Sequence, residues 1–174
     1  MILKGLKRNA LKKSIESYIK KRRSSAKEVT GIKSLAVLID ASQSVNVLSV
    51  LKLANELGVK SDRLKVMGYK EDQKEISDDK DAAYYNDKSF SVNGSVKSNS
   101  LNDFIKKEYD VLINFYSESK LELDYVAAAS NAKFKVGFAE IDNRINDLVI
   151  GVDNQDNNLF ISELKKYLKI LQII

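Results

Sequence analysis

Residues 109–139 read YDVLINFYSESKLELDYVAAASNAKFKVGFA, and the fold is decided there. Val111, Leu112 and Ile113 form a short continuous apolar run between Asp110 and Asn114. Such a run suits a strand covered on both faces, as in a parallel sheet. After Tyr116 the chain turns polar at Ser117, Glu118 and Ser119. Ser119 with Glu122 three residues on has the spacing of a capping box, which predicts a helix start. Leu123, Val126, Ala127 and Ser130 recur at helical spacing, and Ala127, Ala128 and Ala129 are small enough to bring the helix close to a sheet. Phe134, Val136 and Phe138 then alternate with Lys133 and Lys135, the pattern of a strand with one buried face. Strand, helix and strand in about 30 residues make a βαβ unit with parallel strands and a right-handed crossover.

A second unit precedes it. Leu35, Ala36, Val37, Leu38 and Ile39 are another apolar run, ending at Asp40. Beyond the loop of Ala41, Ser42, Gln43 and Ser44, a helix follows with Val47, Val50, Leu51, Ala54 and Leu57 inward. Gly58 ends it, and Leu64 and Val66 open the next strand. Residues 70–81 read as a solvated loop with only Ile76 apolar. Phe90 and Val92 alternate with polar residues and predict an edge strand or hairpin arm before the turn at Gly94 and Ser95. Ser100 and Asp103 open a short helix with Leu101, Phe104 and Ile105 inward. Leu148, Val149, Ile150 and Val152 predict a last strand. Phe160, Leu164, Tyr167, Leu168 and Leu171 line one face of a final helix. The expected fold is α/β. Residues 29–174 form a single three-layer Rossmann-like domain with a mostly parallel sheet of about five strands, 35–39 and 111–113 at its centre.

Residues 1–28 stand apart by charge. They carry ten basic and two acidic residues, a net of +8 in a chain whose total is +5, so the other 146 residues carry −3. A basic amphipathic helix is expected over 2–23, with Leu11, Ile15, Tyr18 and Ile19 as a stripe extended upstream by Leu3 and Leu6. Three uses compete: packing on the domain or on a protein partner, binding RNA or a ribosomal surface, and lying on an anionic membrane. Lys12, Lys13, Lys20, Lys21, Arg22 and Arg23 are the candidate nucleic-acid contacts. Ser24, Ser25, Ala26 and Lys27 read as a flexible joint.

Composition removes several chemistries. There is no Cys and no His, which excludes disulfides, thiolate metal sites and a Ser–His–Asp triad. Cysteine absence fits a reducing cytoplasm. No apolar run approaches the ~20 residues of a membrane span, and no apolar signal core follows the basic start. The seven glycines are dispersed, and neither G-x-G-x-x-G nor a P-loop is present, so no nucleotide cofactor is expected.

In an open parallel sheet, ligands bind beyond the C-terminal strand ends. Asp40, Ser42, Ser44, Asn114, Ser117 and Ser119 arrive there and are the candidate ligand-binding residues. The serines suit either a phosphate at a helix start or simple helix capping. Glu140, Asp142 and Asp147 are spaced like turn acids rather than a calcium loop, and no metal site is expected. Tyr84 and Tyr85 suit a rim or a stacking surface.

The 109–140 stretch, with NRINDLVIGV at 143–152 and LFISELKKYLKIL at 159–171, resembles an uncharacterised family of short Bacteroidetes α/β proteins. That likeness covers the whole chain and implies no functional residues. Residues 109–139 also look like the N-terminal half of heptosyltransferase-type glycosyltransferases. Those enzymes place the nucleotide sugar largely on a second Rossmann domain, for which this chain is too short. The expected function is a non-catalytic cytoplasmic binding protein, associating with RNA or the ribosome. The alternative is a small enzyme, or the remnant of one, holding a phosphorylated or sugar-nucleotide ligand at the sheet edge.

Overall fold

The apolar runs at 35–39 and 111–113 lie side by side at the centre of a six-stranded sheet. The structure, a computed structural model, describes residues 1–23, 27–43, 47–71, 78–153 and 156–174. The chain runs α1 (Ile2–Arg23), β1 (Leu35–Asp40), α2 (Val47–Glu56), β2 (Leu64–Tyr69), β3 (Ala83–Tyr85), α3 (Asn99–Lys106), β4 (Val111–Phe115), α4 (Leu121–Ala129), β5 (Phe134–Phe138), β6 (Leu148–Ile150) and α5 (Asn157–Ile170). The strand order is β3-β2-β1-β4-β5-β6, and every neighbouring pair is parallel. Val37 sits opposite Val66 on one side and Ile113 on the other. This is the doubly wound order, with its direction reversing between β1 and β4.

Two apolar layers cover the sheet. On one face α2 and α5 bring Val50, Leu53, Phe160 and Leu164 down on Val37, Ile39, Ile113 and Phe138. Phe160 stacks on Phe138, with ring centroids 3.9 Å apart and planes inclined by 14°. On the other face α3 and α4 cover Ala36, Leu38, Met67 and Leu112. The first helix joins this second layer. Leu11, Ile15 and Ile19 are buried in it, and Tyr18 meets Tyr125 of α4 edge-on at 5.8 Å. Gly94 makes the close approach to α1 possible. Its φ is +81°, and a Cβ there would lie 3.1 Å from Ala10.

The structure completes some sequence expectations and corrects others. The sheet has six strands, because Ala83, Tyr84 and Tyr85 form an edge strand and Tyr85 is fully buried. Phe90 and Val96 make one antiparallel bridge outside the sheet, so the Phe90 segment is a hairpin arm. The stripe of α1 does not reach upstream: Leu3 and Leu6 are 64 % and 52 % exposed, beyond the body that buries Leu11. Tyr167 and Leu171 of α5 also stay largely exposed. β5 has no solvent face. Lys135 is 0 % exposed, because α1 and α4 cover the side that alternation assigns to water. Its Nζ donates to the carbonyls of Ala127 (2.7 Å) and Ala128 (3.0 Å), closing the C-terminus of α4 with a cation. The joint at 24–26 and the core of the charged run, 72–77, lie outside the described residues.

Candidate functional site

The strand ends at the β1/β4 reversal gather charged groups from three segments. Asp40, the last residue of β1, is fully buried. One carboxylate oxygen accepts from the Ser42 N–H at 3.0 Å, and the other lies 2.9 Å from Nζ of Lys120. Lys120 also pairs with Glu71 at 2.8 Å, and the Glu71 N–H donates to the Ser42 hydroxyl at 3.0 Å. Partial burial works against the Lys120 charge, but its bonds to Glu71 and Asp40 outweigh that and hold it above the ordinary lysine value. The ammonium therefore ties β1 and the chain after β2 to the start of α4.

The start of α4 differs from the expected capping box. Lys120 occupies the cap position and makes no side-chain cap bond. Ser119 instead donates to Asp124, whose other oxygen accepts from the Tyr116 hydroxyl at 3.0 Å. The helix begins one residue later than the box requires, with Lys120 as its cap, so Glu122 stands two residues past the cap rather than three. Both Glu122 and Asp124 are 8 % exposed. Burial raises the Asp124 carboxyl above its usual range, partly offset by the bonds from Ser119 and Tyr116. A helix N-terminus that could attract an anion is thus already faced by the protein's own carboxylates.

The remaining expected ligand residues do not converge. Asn114 is buried and donates to Asn146 at 2.7 Å, bridging β4 to the connection before β6. Ser117 is half-buried on the turn after β4. Ser44 lies outside the described residues. Asp142 and Asp147 are engaged by arginines: Arg144 lies 2.7 Å from Asp142, and Arg22 pairs with Asp147. No group of three or more acidic side chains placed to hold a metal occurs among the described residues.

The residues missed by sequence reasoning are Lys120, Glu71 and Asn146. A lysine immediately before a helix opposes the macrodipole, and that anomaly is the signal that marks Lys120.

The second candidate is the outer face of α1. Lys4, Arg8, Lys12, Lys13, Lys20 and Lys21 are exposed. Arg22 turns inward, donating to the carbonyls of Ala132 (2.9 Å) and Lys133 (3.0 Å). Lys7 is drawn to Asp87 at 2.9 Å, and Glu16 to Arg144 at 2.8 Å. The side chain of Arg23 lies outside the described residues. No helix among the described residues is long and apolar enough to cross a membrane.

The sequence pattern of one family runs through both candidate regions, matching residues 7–171. The chain belongs to DUF6913, a family of unknown function. The match includes residues 7–23 of α1 as well as the whole sheet. No curated protein and no solved structure matches the chain.

Proposed function

We propose that this is a non-catalytic cytoplasmic protein that binds RNA, free or at a ribosomal surface, through the outer face of α1. One observation carries the reading. The apolar stripe of the helix is consumed in the core, while Lys12, Lys13, Lys20 and Lys21 all remain outside. A helix needed only for packing does not require this excess of cations, on a chain whose remainder is net negative. Fixed on a rigid body, such a row follows a phosphate backbone and gains affinity by releasing counterions.

The rival reading, a phosphorylated or sugar-nucleotide ligand at the sheet edge, has less support. Lys120 there is engaged by Asp40 and Glu71, and the α4 N-terminus carries Glu122 and Asp124. An arriving phosphate meets two buried carboxylates rather than free N–H groups.

Charge substitution tests the proposal better than deletion, because removing α1 uncovers the core. RNA binding of the wild type is expected to weaken steeply with salt. Replacing Lys12 and Lys13 by alanine is expected to lower the slope of log K against log salt by roughly two. RNA binding that is absent at low salt, or a slope unchanged in the variant, refutes the reading.

A further inference from the structure

Two cavities flank the seam between α1 and α4. The larger, about 580 Å³, lies between α1, the Phe90–Val96 hairpin arm and α3. The smaller, about 350 Å³, opens between the last turn of α1 and the chain from α4 into β5. Tyr18, Ala129 and Asn131 line both, so the two meet there. Each has the size of a small-molecule site.

Their linings differ in chemistry. The larger one presents Asn102, Asn131 and Lys106 beside the Tyr18–Tyr125 edge pair. Asn131 spends its N–H on the Lys106 carbonyl at 3.0 Å. The Asn102 carboxamide makes no hydrogen bond among the described residues and keeps a donor and an acceptor side by side. The smaller cavity is basic. Lys21, Arg22, Lys27, Lys133 and Lys135 line it; Arg22 pairs with Asp147, Lys27 with Glu108, and Lys133 with Asp110. Lys27 is 54 % exposed, and Glu108 is shared between Lys27 and Lys133. Exposed pairs of this kind exchange partners at little cost. An anion therefore competes for the Lys27 ammonium, beside Lys133, which stays on Asp110 at 2.9 Å. Lys20 and Lys21 lead from the outer face of α1 directly to this end.

We propose that the seam is a nucleotide site, with the phosphate among Lys21, Lys27 and Lys133 and the base against Tyr18 and the Asn102 carboxamide. The proposal rests on the polyanion reading of α1 and deepens it, by giving the backbone-tracking helix a place where one nucleotide enters. Carboxamide and tyrosine are the side chains that read and stack an unpaired base. The ligand is a 5′-phosphorylated nucleoside, either free or as one unit of a single strand.

Amide-resolved NMR on the whole chain separates the possibilities, with UMP, uridine, inorganic phosphate and a ten-nucleotide oligo-U as probes. UMP is expected to shift the Asn102 and Asn131 carboxamides and the Lys133 amide together and saturably. Asn102→Ala is expected to weaken UMP roughly tenfold, the worth of one or two hydrogen bonds. It should leave the salt slope of oligo-U binding unchanged. Inorganic phosphate reproducing every shift reduces the seam to an anion cavity and overturns the proposal. Absence of a saturable UMP shift does the same. If oligo-U binds through Lys12 and Lys13 and neither it nor UMP reaches the seam, the inference fails while the function of α1 stands. If UMP fills the seam but oligo-U does not bind, the site is confirmed for free nucleotides and the α1 reading fails.

Discussion

Replacing Lys135 with methionine keeps the aliphatic stem and removes the ammonium from the interior of β5. Burial, and then the guanidinium of Arg22, push this lysine down from 10.5 to about 7, with Asp147 offsetting part of the fall. In the unfolded chain the group holds its proton up to about 10.4. Between the two values the unfolded state binds more protons than the folded one, so stability rises with pH across that window. The whole difference is worth roughly 5 kcal/mol, and about half of it falls between pH 6 and pH 9. The sequence makes this unusually easy to see. With no His and no Cys, few other side chains titrate there. The terminal amine is common to both proteins and cancels. Urea unfolding followed by far-ultraviolet circular dichroism at pH 6, 7, 8 and 9, at constant ionic strength, gives the profile. The wild type is expected to climb by about 2–3 kcal/mol relative to Lys135→Met. The variant, spared a buried charge, should be the more stable at pH 6 and lose that advantage toward pH 9. A wild type with no rise, or a variant that keeps the same rise, refutes the reasoning.

Two further outcomes follow from packing and charge. Lys120→Met leaves the carboxylate of Asp40 buried without its cation, and a loss of about 3–5 kcal/mol is expected in urea unfolding. Adding Asp40→Asn should restore most of it; no restoration means that the pair does not set the cost. Leu11→Ala removes a fully buried side chain of α1 and should cost about 2–5 kcal/mol in the same assay, whereas a helix merely appended to the domain would show almost no change.

The centre of the fold was legible because β1 and β4 are buried on both faces and say so in unbroken apolar runs. Gly58, at φ +73°, likewise stands where a helix must end. What could not be read depended on distant partners. Lys135 looks solvated by alternation, and only the arrival of α4's carbonyls explains a lysine inside. The Ser119 capping box obeys local spacing, yet the hydroxyl donates to Asp124 instead. β3 is three residues long and carries no periodicity to detect. At the candidate site, Asp40 and Ser42 were found from their place after β1. Lys120 and Glu71 were missed, because chain order gives no hint that they meet there. On α1 the charge and stripe were plain, but not which lysines face outward, since that is set by the docking of Leu11, Ile15 and Ile19.

The seating of α1 on α4 also orders events in time. The helix that closes one layer of the protein is made roughly 100 residues before its partner, and at translation rates of about 5–20 residues per second that is a wait of roughly 5–20 s. Through that interval Leu11, Ile15 and Ile19 lack the α4 surface they pack on, while the lysines beside them are already present. The earliest described element to be synthesised is among the last to be buried. A nascent chain of this protein therefore passes through a stage in which its basic first segment still lacks α4, and completion of α4 is what lets the stripe be buried.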